Sequence, residues 1–143
     1  MNQSAQLEIL AVTTYSDDLA QPCRVLVVED HVDSAIMLST FLSMAGHLVR
    51  VAFNADMALD IAHDFRPNVC LCDIGLPKTS GYELARRLRS ELPETLLIAV
   101  TGWVGDKDRK LCHDAGFSDQ VVKPVELEEL LGLIRDRLSN GRL

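Results

Sequence analysis

Five times in succession a short apolar run is followed by a segment with apolar residues at helical spacing, and this alternation admits few folds. Arg24–Val28 is a continuous aliphatic run that ends on Glu29-Asp30. Asp33–Ala45 then carries Ala35, Ile36, Leu38, Leu42 and Ala45 at helical spacing, and Gly46 stops it. His47–Ala52 reads as a second strand. Asn54 is placed to cap a helix over Ala55–Phe65, with Ala58, Ile61, Ala62 and Phe65 on one face. Pro67 separates it from a third strand, Asn68–Asp73, and residues 81–91 form a third helix with Leu84, Ala85 and Leu88 inward. Thr95–Val100 is the fourth strand, and Gly105–Ala115, closed by Gly116, the fourth helix. Gln120–Val122 is a brief fifth strand. Glu126–Leu138 completes the series, with Leu127, Leu130, Leu131, Ile134 and Leu138 on one stripe and Glu126, Glu128 and Glu129 in the first turn, where the helix dipole favours acids.

Strands that are apolar on both faces and alternate with helices predict a parallel sheet covered on both sides. Right-handed crossovers then give the flavodoxin-like doubly wound order 2-1-3-4-5, an α/β fold of five strands and five helices. A chain of 143 residues suits one such domain and buries roughly 70% of its unfolded surface without disulfide or metal. Residues 1–22 differ: they are rich in Gln, Ser, Thr and Asp, with one weakly apolar patch at Leu7–Val12, and read as a flexible leader. Residues 23–143 are the domain. With the last predicted helix close to residue 143, no output domain is expected in this sequence.

Charge and cysteine content narrow the function. A formal net charge of −7 argues against a nucleic-acid surface and agrees with a carboxylate-rich site for a hard cation. Cys70-Leu-Cys72 lacks the C-x-x-C spacing of zinc or redox sites, so it and Cys23 and Cys112 read as small buried hydrophobes in a reducing compartment. No apolar run reaches the ~18–20 residues of a membrane span, and no basic segment precedes an apolar one at the N-terminus. A cytoplasmic protein is expected.

Parallel strands share one carboxyl edge, where ligands bind in this architecture. Strand 1 delivers Glu29 and Asp30 there, strand 3 delivers Asp73, strand 4 Thr101 and strand 5 Lys123, followed by Pro124. Each has an ordinary reading taken alone. Asp73 is then a loop residue or cap, Glu29 a solvated acid, Thr101 a helix cap and Lys123 a surface lysine. Their placement at one edge is the signal. Clustered carboxylates repel unless a cation sits among them, and an open set of hard oxygens suits Mg²⁺, with Mn²⁺ the alternative. An Asp beside such an ion can act as a nucleophile toward a phosphoryl group, with Lys and Thr neutralising charge on its oxygens.

Over residues 24–139 the chain resembles a two-component response-regulator receiver domain. The resemblance rests on Glu29-Asp30 after Val-Leu-Val-Val, on Asp73-x-x-Leu-Pro-x-x-x-Gly81, on Thr101-Gly102 and on Lys123-Pro124. The stretch Ala99-Val-Thr-Gly-Trp, with Ala115-Gly-Phe and Val-Lys-Pro-Val125, is most similar to receivers of hybrid histidine kinases. The resemblance implies that Asp73 accepts phosphate from a histidine kinase or histidine phosphotransfer protein. It implies that the acidic pair and the Gly75 carbonyl help to bind Mg²⁺, and that Thr101 and Lys123 contact the phosphoryl group. It also implies a cis bond at Pro124, and output by contact with a downstream protein, as a monomer or a phosphorylation-dependent homodimer, without direct contact to nucleic acid or membrane. Such a domain catalyses its own phosphorylation and dephosphorylation and is not a conventional enzyme.

The chain departs from that family's pattern at four positions. The first acid is Glu29 where Asp is common, Gln120 replaces a switch aromatic, and bulky Trp103 lies two residues after Thr101 while Gly75 opens the site two after Asp73. Arg86, Arg87 and Arg89 read as a solvated helix face, and His31 as a loop or first-turn residue at the site mouth. Two rival functions share these residues. A haloacid-dehalogenase-like phosphohydrolase uses a strand-end Asp, Thr, Lys and Mg²⁺, but needs a second acid where this chain has Gly75. A phosphorylation-independent adaptor would use the Gln120 surface constitutively.

Overall fold

The computed structural model describes residues 22–102 and 105–141. Apart from Pro22, the expected leader lies outside the described residues, and so does Trp103. Five strands alternate with five helices: β1 Arg24–Val28, α1 Val32–Met44, β2 Leu48–Ala52, α2 Ala55–Phe65, β3 Val69–Asp73, α3 Gly81–Glu91, β4 Leu96–Thr101, α4 Asp106–Ala115, β5 Asp119–Val122 and α5 Leu127–Gly141. All pairings are parallel and the sheet order is β2-β1-β3-β4-β5, as the alternation predicted.

Alternate strand residues feed two cores, as the two-residue period of a strand requires. Leu26, Val28, Cys70, Cys72, Leu97 and Ala99 face α2, α3 and α4, where Ala58, Ala62, Leu84, Leu88 and Cys112 meet them. Val25, Val27, Val69, Leu71, Ile98 and Val100 face α1 and α5 and pack on Leu38, Leu42, Leu130 and Ile134. Central β3 is buried along its whole length. The edge strands depart from the two-sided apolar pattern. Leu48 and Arg50 of β2 are exposed, with the Arg50 guanidinium over the Phe65 ring at 5.7 Å, and β5 is only partly buried. An edge strand has a neighbour on one side only, so its outward positions stay wet.

Local signals set the helix ends. Asn54 Oδ1 accepts from Met57 N at 2.8 Å, the cap expected from sequence. Ser80 Oγ does the same for α3, accepting from Glu83 N at 3.3 Å. His31 is the N-cap of α1: its Nδ1 accepts from Ser34 N at 3.3 Å. Gly116 ends α4 at φ +110°, a conformation that suits glycine. One inward assignment fails. Ile36 is 56% exposed, because the buried stripe of α1 runs through Ala35, Leu38 and Leu42, and the next residue after Ala35 is turned about 100° away from it.

Candidate functional site

Strand register brings the candidate residues to one level. Val28 pairs with Cys72, so Glu29 and Asp73 both stand one rung higher. Asp73 is opposite Val100, and Thr101, the next residue, is opposite Val122, which precedes Lys123. The backbone continues this alignment past the strands, with Lys123 N donating to Thr101 O at 2.8 Å and Ile74 N to Val100 O at 3.1 Å. The five residues selected from sequence thus end within about one residue of a common edge.

Side chains close the arrangement. Lys123 Nζ lies 3.2 Å from Asp73 Oδ2 and 3.4 Å from Glu29 Oε1, bridging positions 50 and 94 residues away. Glu29, Asp30 and Asp73 each offer a carboxylate oxygen, and these oxygens lie within 4.8 Å of one another. Glu29 and Asp73 are buried, whereas Asp30 is exposed. Thr101 is also buried, at the tip of β4. Gly75 N donates to Asp73 Oδ1 at 3.0 Å, which orients the carboxylate from below its loop. The Lys123–Pro124 peptide bond is cis, the isomer that the family resemblance implies.

Burial and crowding set the charge state. Burial, followed by the hydrogen bond and the charge of Asp73, pushes the Glu29 carboxyl up to about 7, against weaker pulls from Lys123 and the His31 N–H. For Asp73 burial also works against ionisation. It is outweighed by hydrogen bonds from Glu29, Gly75 N–H and Lys123, so this carboxyl sits below its ordinary value. Burial disfavours the Lys123 ammonium, but Asp73 and then Glu29 outweigh it and raise its pKa. The crowding thus pushes Glu29 up and holds Asp73 down, with the Lys123 ammonium between them. The arrangement supplies one oriented nucleophilic oxygen, a cation beside it and a set of hard oxygens with room for a divalent ion.

Two residues named in the sequence contribute more than their pattern assigned them. A Cβ on Gly81 would meet Asp73 O at 2.6 Å and Ile74 Cα at 2.8 Å, so only glycine lets the start of α3 close over the site. Gly81 N donates to Ile74 O at 3.1 Å, which shows the same closure from the backbone. Gly81 stands in the motif, but its close approach to the Asp73 carbonyl is visible only in the fold. His31 does more than follow the acids: its backbone N–H donates to Glu29 Oε2 at 3.4 Å while its ring caps α1. The four cysteines form no disulfide and are buried, and burial pushes the Cys70 thiol up to about 12, in keeping with their reading as core residues.

Comparison with known proteins gives one consistent answer. The sequence profile of the response regulator receiver domain matches residues 25–135. The "Uncharacterized 14.6 kDa protein in sodA1 3′region" of Leptolyngbya boryana is 38% identical over 114 residues, 78% of this chain and 86% of that protein. The uncharacterised transcriptional regulatory protein YkoG of Bacillus subtilis is 37% identical over 119 residues, 82% of this chain but 52% of YkoG. The chain spans about half the length of several further curated relatives. Among solved structures, the CheY-like response regulator receiver domain protein of Methanospirillum hungatei superposes with a TM-score of 0.80 at 27% identity, covering 85% of this chain and 98% of that one.

Proposed function

Since the chain belongs to the response regulator receiver domain family, we propose that Asp73 is its phosphoacceptor in two-component signal transduction. The observation that carries this reading is the Lys123 ammonium bridging Asp73 and Glu29 from the far end of the domain. An Asp73 carboxylate oxygen attacks the phosphorus of a phosphohistidine on a histidine kinase or histidine phosphotransfer protein. The O–P bond forms as the P–N bond breaks, and the imidazole leaves and takes up a proton. Lys123 Nζ then pairs with a phosphoryl oxygen, and the Thr101 hydroxyl donates to another. Later attack by water returns the carboxylate and inorganic phosphate, so the domain catalyses its own turnover without being a conventional enzyme.

Glu29, Asp30 and Asp73, with the Gly75 carbonyl, would hold Mg²⁺ or in its place Mn²⁺, and the mutual approach of three hard carboxylate oxygens fits such an ion. A bound ion of this kind neutralises charge on the carboxylates and on the phosphoryl oxygens.

Two surfaces support the rest of the reading. Helix α1 starts two residues after Asp30, and its Val32, Ile36 and Met37 are exposed, which gives an incoming phosphodonor an apolar face beside the site. On the other flank, Leu111 of α4 and Val122 of β5 are exposed large hydrophobes on the face made by α4, β5 and α5. Output runs through this face to a downstream protein, by a monomer or a phosphorylation-dependent homodimer, without a rotating aromatic at Gln120. The likeness of the motif around Thr101 and Lys123 to receivers of hybrid histidine kinases supports a donor of that class, and the proposed location is the cytoplasm. Among the described residues no helix is long and apolar enough to cross a membrane.

Beryllofluoride with Mg²⁺ tests the switch by amide NMR. Shifts are expected to start at Asp73, Thr101 and Lys123, to extend into α4 and β5, and to vanish in Asp73→Ala. Shifts confined to the site would sink the signalling half of the proposal. The phosphohydrolase reading lacks its second acid, since Gly75 stands there. The adaptor reading survives only if partner affinity is the same for wild type and Asp73→Ala.

A further inference from the structure

At the end of the sheet opposite Asp73, an open cavity of about 430 Å³ lies where β1 begins, α2 ends and the α3–β4 turn passes. Arg24, Arg66, Asn68 and Glu94 line it, with Pro67 and Leu92 as apolar wall. Arg24 is pre-positioned. Its Nε donates to Phe65 O at 3.0 Å and to Arg66 O at 2.8 Å, which closes the carboxyl end of α2 and fixes the guanidinium plane. Its two Nη groups have no protein partner among the described residues. Asn68 Oδ1 accepts from Arg24 N at 2.8 Å, so the amide is fixed and its Nδ2 is left to donate elsewhere. Arg66 and Glu94 share the cavity and make no ion pair with each other or with any other described residue.

Opposite charges that line one cavity without meeting complement a ligand that carries both. Guanidinium edges and an amide N–H suit a carboxylate. Glu94 suits an ammonium, as does the negative end of α3, which terminates at this end of the sheet; these groups repel a bare anion. The volume falls in the range of small-molecule sites. We infer that this cavity binds a small zwitterion, a carboxylate beside an ammonium group with a short aliphatic body against Leu92 and Pro67.

The test is an amide NMR titration of the full chain with L-leucine and L-alanine, and with acetate and methylammonium as the two single-charge halves. Saturable shifts are expected at the Asn68 side-chain amide and at Leu92, Glu94 and Thr95 with the amino acids, with each half binding about tenfold more weakly or less. Arg66→Ala and Glu94→Gln, both at exposed positions, should each weaken leucine by about tenfold while melting as wild type does. No saturable shift with either amino acid overturns the inference. So does acetate binding as tightly as leucine, or an affinity indifferent to both substitutions.

Discussion

The two ends of the sheet handle polarity in opposite ways. At the amino end, polar side chains serve the backbone: Asn68 accepts from Arg24 N, Thr95 Oγ1 donates to Pro67 O at 2.9 Å, Arg24 closes α2, and His47 Nδ1 accepts from Cys23 N at 3.2 Å. Each bond satisfies a buried or half-buried group and adds to stability. At the carboxyl end, Glu29, Asp73 and Lys123 are gathered around one another, and burial holds Glu29 far from its ordinary pKa. The first end holds the fold together. The second holds charge in readiness at a cost in stability, as functional sites commonly do.

Substitutions that remove backbone support should therefore destabilise at either end, whereas removing a gathered charge at the carboxyl end should stabilise. The largest loss is expected where the carboxyl end is closed by backbone, at Gly81. Gly81→Ala forces a Cβ onto Asp73 O and should cost about 3 kcal/mol in chemical denaturation; a loss within error would mean that the loop gives way freely. Next comes the amino end, where Asn68→Ala strips Arg24 N of its acceptor and should cost about 1.5 kcal/mol.

His47 gives the amino end a pH dependence. Burial lowers its pKa below 6.5, so below about pH 6.5 the unfolded chain takes up a proton that the folded chain refuses. Stability should fall as pH drops through that window, by at most about 1.4 kcal/mol per pH unit, and His47→Gln should flatten the slope. A slope unchanged in that variant would assign the effect to other groups.

The smallest effect has the opposite sign. A carboxyl whose folded pKa is raised to about 7 from 4.5 is ionised in both states at pH 8, at a cost borne only by the folded one. Glu29→Gln should thus raise metal-free stability by about 1 kcal/mol at pH 8, and Mg²⁺ should stabilise wild type more than the variant. Destabilisation by Glu29→Gln would erase the contrast between the two ends.

Much of this was legible in the sequence, for a physical reason. A parallel sheet turns position along each strand into a common level, so reading where each apolar run stops was enough to align Glu29, Asp73, Thr101 and Lys123. The same periodicity gave the helices and the two cores. Rotation and proximity were less legible. Ile36 has the right spacing to Ala35's neighbours for either face, and only packing turned it outward. The need for Gly81 depends on a 2.6 Å approach across a loop, and no pattern encodes that. Edge exposure of Leu48 and Arg50 follows from the strand order rather than from β2 itself.

Asp73 is the residue this edge exists to present. Incubation with acetyl phosphate and Mg²⁺, read by intact mass, tests it most directly. Wild type should gain a single phosphoryl group, and neither Asp73→Ala nor wild type without a divalent ion should gain one. Equal labelling of wild type and Asp73→Ala would exclude Asp73 as the phosphoacceptor.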